Sequence, residues 1–157
     1  MKFLLDSNVL FKIANDSSEG RILPARAAAA NRSRCYVSVI SVFEARAALR
    51  RRLVALPNLK ALADVLVLFR PLPLATNAAP FAAQAIQALE QCGFDREDVV
   101  LDSLIAGHAM ARGYTLVTDN ERHFKPVPGL TWVNWRKSPS HCRTTVRSRP
   151  RRTALNR

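Results

Sequence analysis

DREDVVLDSLIAGHAMARGYTLVTDN, residues 95–120, reads as one helix handed directly to one strand. Asp95 is a natural N-cap, Asp98 stands at N3, and Gly113 ends the helical pattern. Tyr114 to Thr118 is short, apolar and β-prone, which is the pattern of a buried strand. Asp102 falls well inside the helix, on a face shared with Ile105, Ala106 and Ala109. A carboxylate on such a face is costly unless it is paired or bound to a metal.

The same alternation extends outward. Phe3-Leu4-Leu5 reads as a first strand that stops at Asp6, and Ser7 to Ala14 as a short helix. Glu19 to Ala30 is Ala-rich and helical in pattern, and Cys35 to Ile40 is a second strand. Helices follow over Ser41–Ala55 and from Pro57, placed at N1, to about Val65. Val67-Leu68-Phe69 reads as a strand, residues 75–91 as a helix closed by Gly93, and Gly129–Val133 as a last strand. Strands that are short and apolar on both faces, alternating with helices, predict a single α/β domain. Its parallel sheet of about four or five strands is flanked by helices. The domain is expected over residues 1–136. Beyond Trp135 apolar periodicity vanishes, and residues 137–157 read as a basic, disordered tail.

Composition sets the class. The chain has 157 residues, 48% of them hydrophobic and 23% charged, as in a globular protein and not a disordered or fibrous one. Its formal net charge is +12, and residues 137–157 contribute seven basic and no acidic side chains to it. Such a balance favours a polyanion such as nucleic acid, or an acidic partner; a merely solvated tail is the other reading. Cys35, Cys92 and Cys142 form no C-x-x-C pair, which excludes a disulfide scaffold and argues against structural zinc. No secretory signal or membrane span is evident, so a cytoplasmic protein is expected.

Several chemistries are absent. No glycine-rich phosphate loop, H-E-x-x-H or G-x-S-x-G motif occurs. The candidates that remain are acidic. Asp6 ends the first strand; it reads equally as an N-cap or as a ligand at the carboxyl edge of a parallel sheet. Glu44 stands three residues after Ser41, the spacing of a capping box, and a capping Glu there also faces the sheet edge. Asp119 and Asn120 follow the strand 114–118, as turn residues or as site residues. Parallel strands bring these positions to one edge. Acids gathered there raise one another's pKa, and a divalent cation resolves the repulsion. All-oxygen donors select Mg²⁺ or Mn²⁺, ions that activate water and stabilise charge on phosphorus. An acidic metal cleft in a basic protein suggests a phosphodiester substrate.

At these residues the sequence resembles the PIN domain, specifically the VapC-type toxin ribonucleases of bacterial toxin–antitoxin pairs. The resemblance rests on FLLDSNVL, SVISVFEARAAL, DSLIAGHAMARGYTLVTDNERHF and PVPGLTWVNW, in that order, and covers residues 1 to about 135. It implies a Rossmann-like sheet, a homodimer, and Mg²⁺- or Mn²⁺-dependent endonucleolytic cleavage of RNA. It also implies a protein antitoxin whose segment crosses the acidic cleft. Residue by residue, Asp6, Glu44 and Asp102 match the first three acids and metal ligands, and Asn120 the fourth site. Ser7, Thr118 and Asp119 are supporting polar residues, Asp119 being the alternative acid for the fourth position. The rival classes are a non-catalytic RNA-binding module, an inactive copy of the domain, and a phosphotransfer enzyme with Asp6 as nucleophile. The last wants a second Asp where the chain has Asn8. A structure-specific DNA nuclease of the same broad fold needs insertions for which the chain has little room.

Overall fold

Leu4 and Leu5 are adjacent apolar residues in extended backbone, so they point to opposite faces of whatever sheet they join. Both are fully buried, which requires helices on each side. The computed structural model describes residues 1–14, 31, 34–50, 56–137 and 143–144. The elements are β1 (Phe3–Leu5), α1 (Ser7–Ala14), β2 (Cys35–Ser38), α2 (Val39–Arg50), α3 (Leu56–Leu68) and β3 (Arg70–Leu72). A 3₁₀ turn (Thr76–Ala78) leads into α4 (Ala79–Gln91), followed by α5 (Arg96–Arg112), β4 (Thr115–Val117), the single turn α6 (Glu121–Phe124), β5 (Thr131–Val133) and β6 (Arg143–Thr144).

The strand order is β3-β2-β1-β4-β5-β6. The first five strands are parallel, at the upper end of the expected number, and β6 pairs antiparallel with β5. From β1 the chain winds outward to β2 and β3, then returns to lay β4 on the other side of β1. That reversal makes the carboxyl ends of β1 and β4 the switch point at which open α/β sheets hold their ligands. Register aligns those ends: Leu5 lies opposite both Val37 and Val117.

The core divides at the sheet. Leu5, Val37, Val117 and Val133 pack on one face with Val9 and Leu10 of α1 and Leu62 and Val65 of α3. Leu4, Leu116 and Trp132 pack on the other with Leu89 of α4 and Val99, Ile105 and Ala109 of α5. Gly107 lets α4 and α5 touch, because a Cβ there would stand 2.5 Å from the backbone nitrogen of Ala82. Gly113 ends α5 at a φ of 62°, and the amide of Tyr114 reaches back to the carbonyl of Ala109.

Several expectations are corrected. Val67 and Leu68 belong to the last turn of α3, and the strand begins only at Arg70. Pro71 is tolerated there because β3 is an edge strand that does not need the missing N–H. α2 starts at Val39, so Ser41 lies inside the helix and is not its cap. Ser38 takes that place, accepting the amide of Ile40 at 3.1 Å. Arg143 and Thr144, within the segment read as a tail, are strand residues, while residues 138–142 and 145–157 lie outside those described. The predicted helix over 19–30 also lies outside them. Among the described residues no helix is long and apolar enough to cross a membrane.

Candidate active site

Asp6 is the first residue beyond β1, and its amide donates to the carbonyl of Val117 at 3.0 Å. This extension of the ladder drives its side chain into the switch point, where it is wholly buried. Its carbonyl accepts the amides of Val9 and Leu10, so the backbone caps α1 while the carboxylate turns toward β4. The Thr118 hydroxyl donates to Asp6 Oδ2 at 2.7 Å, and the Ser7 hydroxyl donates to Oδ1 at 3.3 Å.

Glu44 arrives on α2. Ser41, one turn earlier on the same face, donates its hydroxyl to the carbonyl of Leu5 at 3.3 Å. That bond ties the Glu44 face of α2 to the end of β1. Glu44 Oε2 is buried with no hydrogen-bond partner among the described residues. At the other end of α2, Ser38 Oγ lies 3.0 Å from Nδ1 of the buried His108, which joins the start of this helix to α5.

Asp102 enters from α5. Asn120 Nδ2 donates to its Oδ2 at 3.0 Å, and His123 Nδ1 meets the same oxygen at 2.5 Å. Asn120 is held in turn by its amide, which donates to Thr118 Oγ1 at 2.9 Å. Asp119 does not join this group. Its Oδ2 pairs with Lys12 Nζ at 2.6 Å and lies 3.9 Å from Arg136, on the α1 side of the sheet edge. Of the two candidates for the fourth position, it is therefore Asn120 that stands beside Asp102.

The three acids act on one another. Burial, reinforced by Asp102 and Glu44, raises the Asp6 carboxyl to about 7 against the pull of Thr118 and Ser7. Burial also raises Glu44, with Asp102 adding to it and Ser7 opposing. Asp102 is raised by burial and held back by His123. Among the described residues no three acidic, imidazole or thiolate groups stand at metal-gripping spacing. The donor set nevertheless fits a hard divalent cation: three mutually repelling carboxylates, oxygen donors only, and a buried Glu44 oxygen lacking a partner.

His123 lies in a quoted motif but forms no metal spacing with His108 or His141, so the sequence gives it no role, and it does not predict α6. Their signal was the i, i+3 spacing from Asn120, which sets both residues on one face of a single turn.

The chain matches the PIN domain over residues 3–130. It is 30% identical over 136 residues to the tRNA(fMet)-specific endonuclease VapC of Salmonella typhimurium, covering 86% of this chain and 98% of the relative. The structure of DNA-bound VapBC from Salmonella typhimurium superposes with a TM-score of 0.64 at 30% identity, over 86% of this chain and 98% of that one. VapBC2 of Rickettsia felis, bound to a promoter DNA fragment, gives a TM-score of 0.69 at 24% identity, over 86% and 99%. The family model spans most of the chain and a relative matches it along almost its whole length: the chain belongs to the PIN domain family.

Proposed function

We propose that the protein is a Mg²⁺- or Mn²⁺-dependent endoribonuclease, the toxin of a VapBC-like toxin–antitoxin pair. The observation that carries this reading is Asp6: a carboxylate buried at the switch point beside Glu44 and Asp102, its pKa raised to about 7. A fold that retains so unfavourable a cluster does so for a cation. The Salmonella typhimurium relative, named a tRNA(fMet)-specific endonuclease, supports RNA as the substrate and makes tRNA the first to test.

Asp6, Glu44 and Asp102 would hold the ion. When bound, it supplies positive charge for the phosphoryl oxygens and acidity for the attacking water. Thr118 and Ser7 fix the Asp6 carboxylate by their hydroxyl donors. Asn120 supplies a neutral donor that holds Asp102, a role for which an amide suffices. Glu44, with its buried Oε2 unpartnered, would supply a further oxygen donor to the ion.

A protein antitoxin is proposed as partner. On α2, Phe43 is 59% exposed and Val39 42%, and with Val42 and Ala47 they line a groove of about 500 Å³ edged by Arg46 and Arg50. An uncovered apolar face of this kind marks a protein contact. A homodimer and a cytoplasmic place belong to the same proposal.

The test is cleavage of a total RNA pool by purified, antitoxin-free protein with Mg²⁺, Mn²⁺ or EDTA, beside Asp102→Asn. Cutting that needs metal and is lost in the variant is expected. RNA retained without cutting would replace the enzyme by a binding module.

A further inference from the structure

We propose that His123 is the positioning residue that sets the Asp102 carboxylate, and that it works by donating a hydrogen bond from Nδ1, with Phe94 bracing the ring. The inference rests on the reading of the cleft as a cation site.

His123 Nδ1 and Asp102 Oδ2 are 2.5 Å apart, a direct contact with no room for a bridging water. The bond requires an N–H at Nδ1, which the imidazolium and one of the two neutral tautomers carry; Asn120 Nδ2, 2.9 Å from the same nitrogen, is then a close neighbour and not its donor. Asn120 Nδ2 donates to the same oxygen at 3.0 Å. Both donors come from one short stretch of chain, Asn120 just before α6 and His123 within it, so Oδ2 is gripped by two prongs and neither occupies Oδ1.

The imidazole is itself fixed. Phe94 stands edge-to-face with it, 4.7 Å between centroids and 75° between planes. The Arg122 guanidinium lies 5.1 Å from the same Phe94 ring. Phe94 directly follows Gly93, which closes α4 at a φ of 85°, and its amide is bonded to the carbonyl of Leu89. The brace is therefore anchored to one helix, the donor to a second and the acid to a third. The packed ring and its contact with Oδ2 together set the orientation of Asp102 in the cleft.

Outer partners that orient a ligating side chain are worth 10- to 100-fold in metal affinity. The experiment is calorimetric titration of Mn²⁺ alone into the metal-stripped full chain, for wild type, His123→Phe, His123→Ala and His123→Asn, with melting in EDTA to register the fold. His123→Phe keeps a ring against Phe94 and loses the donor. His123→Asn keeps a donor nitrogen close to the Nδ1 position and loses the ring. The expected result is Mn²⁺ binding weakened about tenfold or more in the Phe and Ala variants and kept within about threefold in the Asn variant. Equal affinity in wild type and the two donorless variants overturns the inference. Equal loss in the Asn and Phe variants does so too, because it makes the imidazole ring itself the requirement. No saturable Mn²⁺ binding by wild type overturns the cation site, and the inference with it.

Discussion

The Thr118 hydroxyl donates to Asp6 Oδ2 at 2.7 Å and simultaneously accepts the amide of Asn120 at 2.9 Å. One side chain at the end of β4 thus orients both the buried acid of β1 and the amide that holds Asp102. Thr118→Val keeps the shape and removes both bonds. A hydrogen bond to a charged group is worth about 1.5–3 kcal/mol, so urea unfolding at pH 8 should register a loss of that size. RNA cleavage should fall with it, because Asp6 and Asn120 are released together.

The Asp6 carboxyl gives the metal-free protein a specific pH dependence. Its pKa is raised from 3.8 unfolded to about 7 folded, so between those values the folded state binds more protons. The stability that this group contributes is full below about pH 4 and is lost as pH rises through 7. At about 1.4 kcal/mol per pH unit the loss is on the order of 4 kcal/mol. Melting in EDTA across pH 4 to 8 should follow this fall, and Asp6→Asn should lessen it, Glu44 and Asp102 being raised as well, and melt higher than wild type at pH 8. Added Mn²⁺ should raise the melting temperature at pH 8 and much less at pH 5, where protonated Asp6 cannot ligate.

Asp119 belongs to a different structure from its neighbour Asn120. It pairs with Lys12, which is 34% exposed, and sits near Arg136. Asp119→Asn should cost about 1 kcal/mol in urea unfolding, a partly solvated ion pair being worth no more. Its Mn²⁺ affinity should stay within about threefold of wild type, and a loss comparable to that of Asp102→Asn would place Asp119 in the cleft.

Gly107 tests the packing that carries Asp102. Alanine is ordinarily the better helix residue by about 1 kcal/mol. Here its Cβ would meet the Ala82 backbone at 2.5 Å, which cannot yield as a flexible side chain would. Gly107→Ala should therefore destabilise by about 1–3 kcal/mol in chemical unfolding, against its intrinsic propensity.

Much of this was legible in the residues. Gly113 and the apolar run before Thr118 announce a helix-to-strand handover, and Asp102 on a small apolar face announces a buried charge. Asp6 at the end of FLL offers two readings, and the structure turns its carboxylate to Thr118 and Ser7 in the cleft, leaving only the backbone carbonyl to the first turn of α1. Less was legible where one local pattern has two solutions. Ser38 and Ser41 both precede an apolar helical run, and only the contact with Leu5, distant in sequence, makes Ser41 an anchor and leaves the cap to Ser38. Val67-Leu68-Phe69 is apolar enough for a strand, but the helix before it continues through Leu68. Asp119 and Asn120 are adjacent and chemically alike, and their separation depends on Lys12, more than a hundred residues away. His123 showed no metal spacing with the other histidines, and its partner is a carboxylate on another helix.

The most direct test of a cleft built around Asp6 for a divalent cation is Mn²⁺ binding at pH 8. Calorimetric titration would compare the metal-stripped wild type with Asp6→Asn. Saturable binding in wild type that is abolished in Asp6→Asn is the predicted result. No saturable binding, or binding of equal affinity in the variant, would contradict it.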